Sequence, residues 1–121
     1  MIKTFGLTHL ALSVREKERA YRFYHDVFGM EEYYRDATSI QAKTPNCHDV
    51  IAFQEAEPRP GISAGVMHFG FRLRTPDDID AAVEAVIAAG GTVRRRGEFA
   101  PGIPFAFVND PDGYEVEIWY E

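Results

Sequence analysis

Residues 7–14 (LTHLALSV) and residues 66–73 (VMHFGFRL) repeat one pattern, and this repeat decides how the chain folds. Each segment carries a histidine at its third position, so that His9 aligns with His68. Side chains in a β-strand point alternately to its two faces. If both segments are strands, each histidine points away from the apolar residues beside it, and the two histidines occupy matching positions in the two halves of the chain.

A helical pattern follows the first of these strands. Ser13 precedes Glu16 by three positions, as in a capping box, which predicts that the helix begins there. Apolar residues then recur at helical spacing, at Ala20, Phe23, Tyr24, Val27 and Phe28. Gly29 is predicted to end this helix.

A second helical pattern follows the second strand. Thr75 and Pro76 suit the cap and the first turn of a helix. The buried stripe is predicted at Ile79, Val83, Val86 and Ile87. Gly90 and Gly91 are predicted to end it. The two halves of the chain therefore begin alike, with a strand and then a helix.

Each predicted helix is followed by three short strand patterns separated by turn residues. These lie at about 31–35, 38–43 and 49–55 in the first half, and at about 92–96, 104–109 and 114–120 in the second. The stretch EAEPRPGISAG (55–65) carries two prolines and two glycines and reads as a connector. The predicted order is strand, helix and three strands, twice over, with the halves spanning about 5–57 and 66–121.

The composition limits the classes of protein that the chain can belong to. With 121 residues and 45% hydrophobic content, the chain has the size of a single domain, 1–121, with one core. The formal net charge of -6 argues against a nucleic-acid partner, and no segment approaches the ~20 consecutive apolar residues of a membrane span. Cys47 is the only cysteine, which fits a reducing compartment. We therefore expect a soluble cytoplasmic protein that binds neither nucleic acid nor membrane.

The repeated histidines and one late glutamate form a candidate metal site. Two neutral imidazoles and one carboxylate, here His9, His68 and Glu117, make the facial set that holds a divalent metal and leaves positions open for substrate. Aligning the last strands of the two halves places Ala52 opposite Glu117, so a fully symmetric site would have one more carboxylate. Gln54 shares the face of position 52 and is a candidate weak ligand or substrate contact.

Three motifs give the chain a resemblance to a known family. They are THLALSVREKERAYRFYHDVFGM (8–30), MHFGFRL (67–73) and DPDGYEVEIWYE (110–121), in that order. The chain resembles the vicinal oxygen chelate superfamily, which includes glyoxalase I, fosfomycin-resistance thiol transferases, extradiol dioxygenases and bleomycin-resistance proteins. The resemblance implies an α+β fold of two pseudo-symmetric βαβββ modules, whose curled mixed sheet surrounds a metal cavity, commonly in a homodimer. The family's metal positions carry over onto His9, His68 and Glu117.

Departures from the family pattern limit the reaction that the resemblance implies. The dioxygenases and the fosfomycin enzymes usually carry a tyrosine ten residues before the glutamate, and here that position is Phe107, which cannot donate a hydrogen bond. Glyoxalase members have a fourth ligand where this chain has Ala52. Phe107 therefore counts as a substrate contact rather than a proton donor.

Further residues near the candidate site have roles that the sequence leaves open. Glu115 shares the face of Glu117 and is the best candidate for a general base, or else an exposed carboxylate. Arg72 shares the parity of His68 and either holds an anionic substrate group or extends to solvent. Trp119 is expected to wall the pocket. The run from Arg94 to Arg96 is interpreted as a solvated strand edge rather than an anion clamp.

Two classes of function follow from these residues. In the first, the chain is an enzyme that uses Fe²⁺, Mn²⁺, Ni²⁺ or Zn²⁺ to bind two adjacent oxygens of a small substrate, in a lyase, isomerase or dioxygenase reaction. In the second, it is a metal-free binding protein that sequesters a small molecule, as bleomycin-resistance proteins do. The presence of all three candidate metal ligands favours the first class, the metal-dependent enzyme.

Overall fold

The predicted order of strands and helices is the order observed in a computed structural model, which describes residues 1–3, 5–56 and 65–121. Its first half consists of β1 (His9–Val14), α1 (Lys17–Phe28), β2 (Glu31–Arg35), β3 (Ser39–Lys43) and β4 (Val50–Glu55). Its second half consists of β5 (Phe69–Arg72), a short 3-10 helix (Pro76–Asp78), α2 (Ile79–Ala88), β6 (Thr92–Ala100), β7 (Ile103–Asn109) and β8 (Glu115–Trp119). The connector predicted at 55–65 lies mostly outside the described residues.

Each half forms its own four-stranded mixed sheet. The strand orders are β1-β4-β3-β2 and β5-β8-β7-β6. The first strand of each half pairs in parallel with the last, and the remaining pairs are antiparallel. This is the α+β arrangement of two βαβββ modules. In both described sheets the strand that begins the module, β1 or β5, is an edge strand.

Helix α1 covers the first sheet with the predicted apolar stripe, but it begins differently. Ala20, Phe23 and Tyr24 are buried, whereas the helix starts at Lys17 with Glu16 as its N-cap. The predicted capping box is wrong, because the Ser13 hydroxyl donates to the carbonyl of Ala56 instead. The free amide of Lys17 is satisfied by Glu55 of β4 at 3.0 Å, a partner distant in sequence.

Helix α2 shows one departure from the predicted stripe. Ile79, Val83 and Val86 are buried, but Ile87 is 60% exposed. A short 3-10 turn starts at Pro76 and precedes α2, so α2 begins later than predicted and its buried stripe is narrower.

Two strands differ in length from the prediction. β5 starts at Phe69, so His68 stands just before the strand rather than within it. β6 runs on to Ala100, because Pro101 and Gly102, the latter at φ 79, make a tight turn into β7. The second sheet therefore extends as a long β6–β7 hairpin beyond the ends of its other strands.

The two modules meet through their helices and a set of buried polar contacts. The Tyr24 hydroxyl of α1 donates to Asp110 at 2.8 Å, and the Tyr114 hydroxyl donates to the carbonyl of Ser13 at 2.8 Å. Asp112 accepts from the Arg19 guanidinium at 3.0 Å, and its carboxylate is fully buried. These contacts fix module 2 against module 1 on the helix side, and they leave the other face of each sheet open. None of the helices described is long and apolar enough to cross a membrane.

Candidate metal centre

The open face of the second sheet holds two of the three predicted ligands side by side. His68 Nε2 lies 3.3 Å from Glu117 Oε2, and their side chains are 31% and 15% exposed. Two atoms that each lie about 2.1 Å from one metal ion are about 3.0–3.4 Å apart at coordination angles near 90–110°. The spacing of these two atoms therefore fits a shared divalent ion without any rearrangement.

Glycine at position 70 makes room for this pair. Gly70 of β5 lies directly beside Glu117 of β8 in the sheet. A Cβ at position 70 would lie 3.1 Å from the Glu117 carbonyl oxygen and 3.3 Å from its Cβ. A side chain at this position would crowd Glu117, so the glycine leaves room for this ligand.

A sharp turn ahead of β8 sets the position of Glu117. Asp110 accepts the backbone amides of Asp112, Gly113 and Tyr114 at 2.9 Å each, which fixes the chain where β8 begins. Burial raises the pKa of the Asp110 carboxyl, and the hydrogen bond from Tyr24 opposes that effect. Burial, reinforced by the Asp110 charge, raises the pKa of Tyr24 well above 10.0, so this hydroxyl stays a donor.

Glu115 lies on the opposite side of the His68 ring from Glu117. Its Oε1 is 3.9 Å from His68 Nδ1, and its Oε2 is 3.8 Å from Arg94 Nη1. Both distances are longer than hydrogen bonds. Glu115 is therefore close enough to orient the His68 ring electrostatically, in addition to being a candidate base.

Aromatic side chains line the rest of this face. The Phe107 ring meets the His68 ring edge-on at 5.1 Å, and Phe107 stands beside Glu117 in the sheet. Phe99 stacks on Phe105 at 4.2 Å and meets the edge of Trp119 at 6.0 Å. Phe107 and Trp119 thus lie on the same face as Glu117, and their role as substrate contacts stays a prediction. Phe99 and Phe105 were missed, because their face follows from the register of the β6–β7 hairpin.

His9 lies on the first sheet, away from His68 and Glu117. It opens β1 and lines a cleft of about 870 Å³ between the edges of β1 and β5, a cleft to which neither His68 nor Glu117 contributes among the described residues. Its Nδ1 is 2.7 Å from the Thr8 hydroxyl. Within residues 1–3, 5–56 and 65–121, no three histidine, cysteine or acidic side chains are grouped closely enough to hold a metal. A single chain brings together two of the three predicted ligands.

The remaining candidates divide between the two open faces. Ala52 pairs with Ala11, two residues after His9 on the same face, and Gln54 pairs with Ser13. Gln54 is therefore on the open face of the first sheet, apart from His68 and Glu117. Arg72 pairs with Trp119 on the second sheet, lies 3.5 Å from Glu121 and lines the cleft that contains His9.

Comparison with known proteins identifies the family. The family model of the Glyoxalase/Bleomycin resistance protein/Dioxygenase superfamily matches residues 6–118, and the chain belongs to this superfamily. A lactoylglutathione lyase of Haemophilus influenzae is 32% identical over 124 residues, which cover 93% of this chain and 90% of that protein. A probable chloroplastic lactoylglutathione lyase of Arabidopsis thaliana is 31% identical over 93% of this chain, which spans only 35% of that longer protein.

A solved structure agrees with the fold. The crystal structure of a glyoxalase-related enzyme from Fulvimarina pelagi superimposes with a TM-score of 0.80, at 23% sequence identity, covering 98% of this chain and 89% of that one. At this identity the match concerns the fold alone. It supports the pairing of two βαβββ modules that the sequence repeat predicted.

Proposed function

We propose that the chain is a divalent-metal-dependent enzyme whose small substrate binds the metal through two adjacent oxygens. The observation that carries the proposal is the 3.3 Å separation of His68 Nε2 and Glu117 Oε2 on an open sheet face. The metal would be Fe²⁺, Mn²⁺, Ni²⁺ or Zn²⁺, because imidazole and carboxylate ligands suit each of them. The relatives named lactoylglutathione lyase support a reaction of the lyase or isomerase type, and membership of the superfamily keeps a dioxygenase reaction open.

The third ligand, His9, is proposed to come from a second copy of the chain. Contacts on the helix side hold the two modules of one chain together, and in that arrangement His9 is not grouped with His68 and Glu117 among the described residues. Both open faces and the edges of β1 and β5 are available to another protomer. A two-fold dimer would place His9 of each chain beside His68 and Glu117 of the other chain. The homodimer is thus a requirement of the site.

The residues of the chain have separable tasks in this proposal. His68 and Glu117 bind the ion, which when present acts as a Lewis acid toward the developing negative charge. Glu115 is the candidate base, and at 3.9 Å it also favours one orientation of the His68 ring. Phe107 excludes water from one side of the site because it offers only an apolar ring.

Metal content tests the proposal directly. We expect protein purified without chelator to contain, or to take up, one equivalent of Fe, Mn, Ni or Zn per chain, measured by elemental analysis. Failure to bind any of these ions would contradict the enzyme and leave the alternative, a metal-free protein that sequesters a small molecule.

Mixing two variants tests the shared site. The His9→Ala and His68→Ala chains should each bind metal weakly alone, because every site then lacks one ligand. Co-refolding the two in equal amounts should restore tight binding at one site in each mixed dimer. No recovery in a mixture that size exclusion shows to be dimeric would mean that His9 is not supplied by the partner chain.

A further inference from the structure

The three consecutive arginines of β6 have three different surroundings. Arg96 pairs with Asp80 of α2 on the helix side, and Arg94 lies 3.8 Å from Glu115. The guanidinium carbon of Arg95 lies 4.8 Å from the centre of the Phe107 ring and 5.5 Å from that of Phe105. Of the three, Arg95 alone has no carboxylate within ion-pair distance among the described residues.

The register of the hairpin explains why Arg95 takes this place. Arg95 pairs with Phe107, and a bulge between Val93 and Arg95 shifts the strand by one residue. Two residues on, Gly97 pairs with Phe105, and a Cβ there would lie 3.2 Å from the tip of that ring. The glycine therefore lets the Phe105 ring lie close to the strand, where the Arg95 head group covers it.

Arg95 and Glu117, one of the two candidate ligands, lie on one line across the open face. The pairing runs from Arg95 to Phe107, from Phe107 to Glu117 and from Glu117 to Gly70. Adjacent strands are about 4.8 Å apart, so the Cα atoms of Arg95 and Glu117 are separated by about 10 Å. The Arg95 side chain reaches back over Phe107, and a single substituted ring would span the remaining gap.

The side chains along this line suit a ligand that is both aromatic and negatively charged. A guanidinium stacked on rings keeps its in-plane N–H groups free to donate, and it matches the geometry of a carboxylate or phosphate. Phe99, which is 54% exposed, and Trp119 add flat apolar surface beside it. An aromatic substrate would contact these rings while its charged group met Arg95.

We propose that Arg95 selects the substrate, and that this substrate is a compact aromatic anion with the metal-binding oxygens at one end and a carboxylate or similar group at the other. This inference rests on the proposed function, because the oxygens are those that would bind the ion at His68 and Glu117. The three arginines are exposed on the edge strand β6, as the sequence predicted, and the proposal adds a role for the central one.

Paired probes test the proposal by isothermal titration. Protein loaded with Zn²⁺, which has no redox chemistry, is titrated with 3,4-dihydroxybenzoate and with 4-methylcatechol, which share the two oxygens and differ in the charge. The ratio of the two dissociation constants is compared between the parent and Arg95→Gln, so that the intrinsic difference between the probes cancels. We expect Arg95→Gln to lower the preference for the anion about tenfold or more, as loss of a charge-assisted hydrogen bond does.

Controls separate this proposal from the metal site. Arg96→Gln removes the same charge on the other face of the same strand and should keep the ratio of the parent. An unchanged ratio in Arg95→Gln, or an equal loss in Arg96→Gln, would overturn the proposal. If the protein takes up none of Fe, Mn, Ni and Zn, the proposed function fails, and the metal-free protein is titrated with benzoate and benzyl alcohol instead. A preference for benzoate that depends on Arg95 would then support the anion site, and its absence would overturn it.

Discussion

The two sheets have the same arrangement of strands, but their open faces carry different side chains. The first presents small or neutral residues around its histidine, among them Ala11, Ala52 and Gln54. The second presents a carboxylate beside its histidine, with Phe107 and Arg95 next in the row. Because the modules share one backbone plan, the difference comes from side chains alone. We infer that module 2 binds the metal and substrate and that module 1 contributes His9.

The largest effect expected from this difference is the loss of metal affinity when His68 of module 2 is removed. His68→Ala should weaken metal binding by more than about 100-fold, since loss of an outer contact alone commonly weakens it 10–100-fold. His48→Ala, a histidine in a loop of module 1, should leave the affinity unchanged. Both variants should keep the circular dichroism spectrum of the parent. Parent-like affinity in folded His68→Ala would remove His68 from the site.

The glycines that follow the two helices should differ in the cost of adding a side chain, with the larger cost at Gly91. A Cβ at Gly91 would lie 2.7 Å from the Asn109 carbonyl oxygen and 2.8 Å from both Phe23 and Val86. Gly91→Ala should therefore lower the free energy of unfolding by about 3 kcal/mol, at the upper end of overpacking effects. Gly29, at φ 68 with open space around it, should cost only about 1 kcal/mol on the same change. Urea denaturation measures both, and a larger loss at Gly29 would contradict the packing described.

Adding a carboxylate to module 1 should reduce the difference between the modules. If position 52 faces the ion in the dimer, Ala52→Glu restores the carboxylate that the repeat lacks, and metal binding should tighten by about tenfold. Gln54→Glu is the matched control, because it places the same charge on the same face about 7 Å further along the strand. Equal effects of the two variants, or none, would show that the alignment of the last strands is wrong.

The smallest expected effect is a difference in pH dependence between two aspartates. Burial raises the pKa of Asp110 above its ordinary 3.8, so the folded state holds this proton to higher pH than the unfolded chain. Its contribution to stability is therefore present at acid pH and is lost as pH rises through the folded pKa. Hydrogen bonds from Thr38 and Ser39 lower the pKa of Asp36 in module 1, and its contribution is lost as pH falls instead.

Asn replacements measure this contrast. The difference in free energy of unfolding between the parent and Asp110→Asn should decline as pH rises from about 4 to about 7. The difference between the parent and Asp36→Asn should instead grow as pH rises, and most of this growth should lie below about pH 4, because the pKa of Asp36 is lowered from 3.8 on folding. If this difference in free energy of unfolding changed in the same direction with pH for both aspartates, the effect of burial assigned to Asp110 would be contradicted.

The sequence predicted what depends on local pattern and on the repeat. The alternation around His9 and His68 and the apolar stripe of α1 gave the order of elements, which the structure confirms. Contacts distant in sequence were out of reach, as the Glu55 cap of α1 shows. The separation of His9 from His68 was missed for the same reason. It follows from how the helices pack and from the buried pairing of Tyr24 with Asp110, neither of which has a periodic signature.

The long β6–β7 hairpin also has a consequence for the order in which the chain folds. Its two strands are joined by the tight turn at Pro101 and Gly102, and β8 follows after another short turn, so this three-stranded unit needs little loop closure. The parallel pairs must instead join residues 9 and 50, or 69 and 116, across most of a module. Rates of folding fall as contacts become more distant in sequence. We therefore expect β6, β7 and β8 to nucleate folding, so that Glu117, Phe107 and Arg95 are aligned before His68 closes on them.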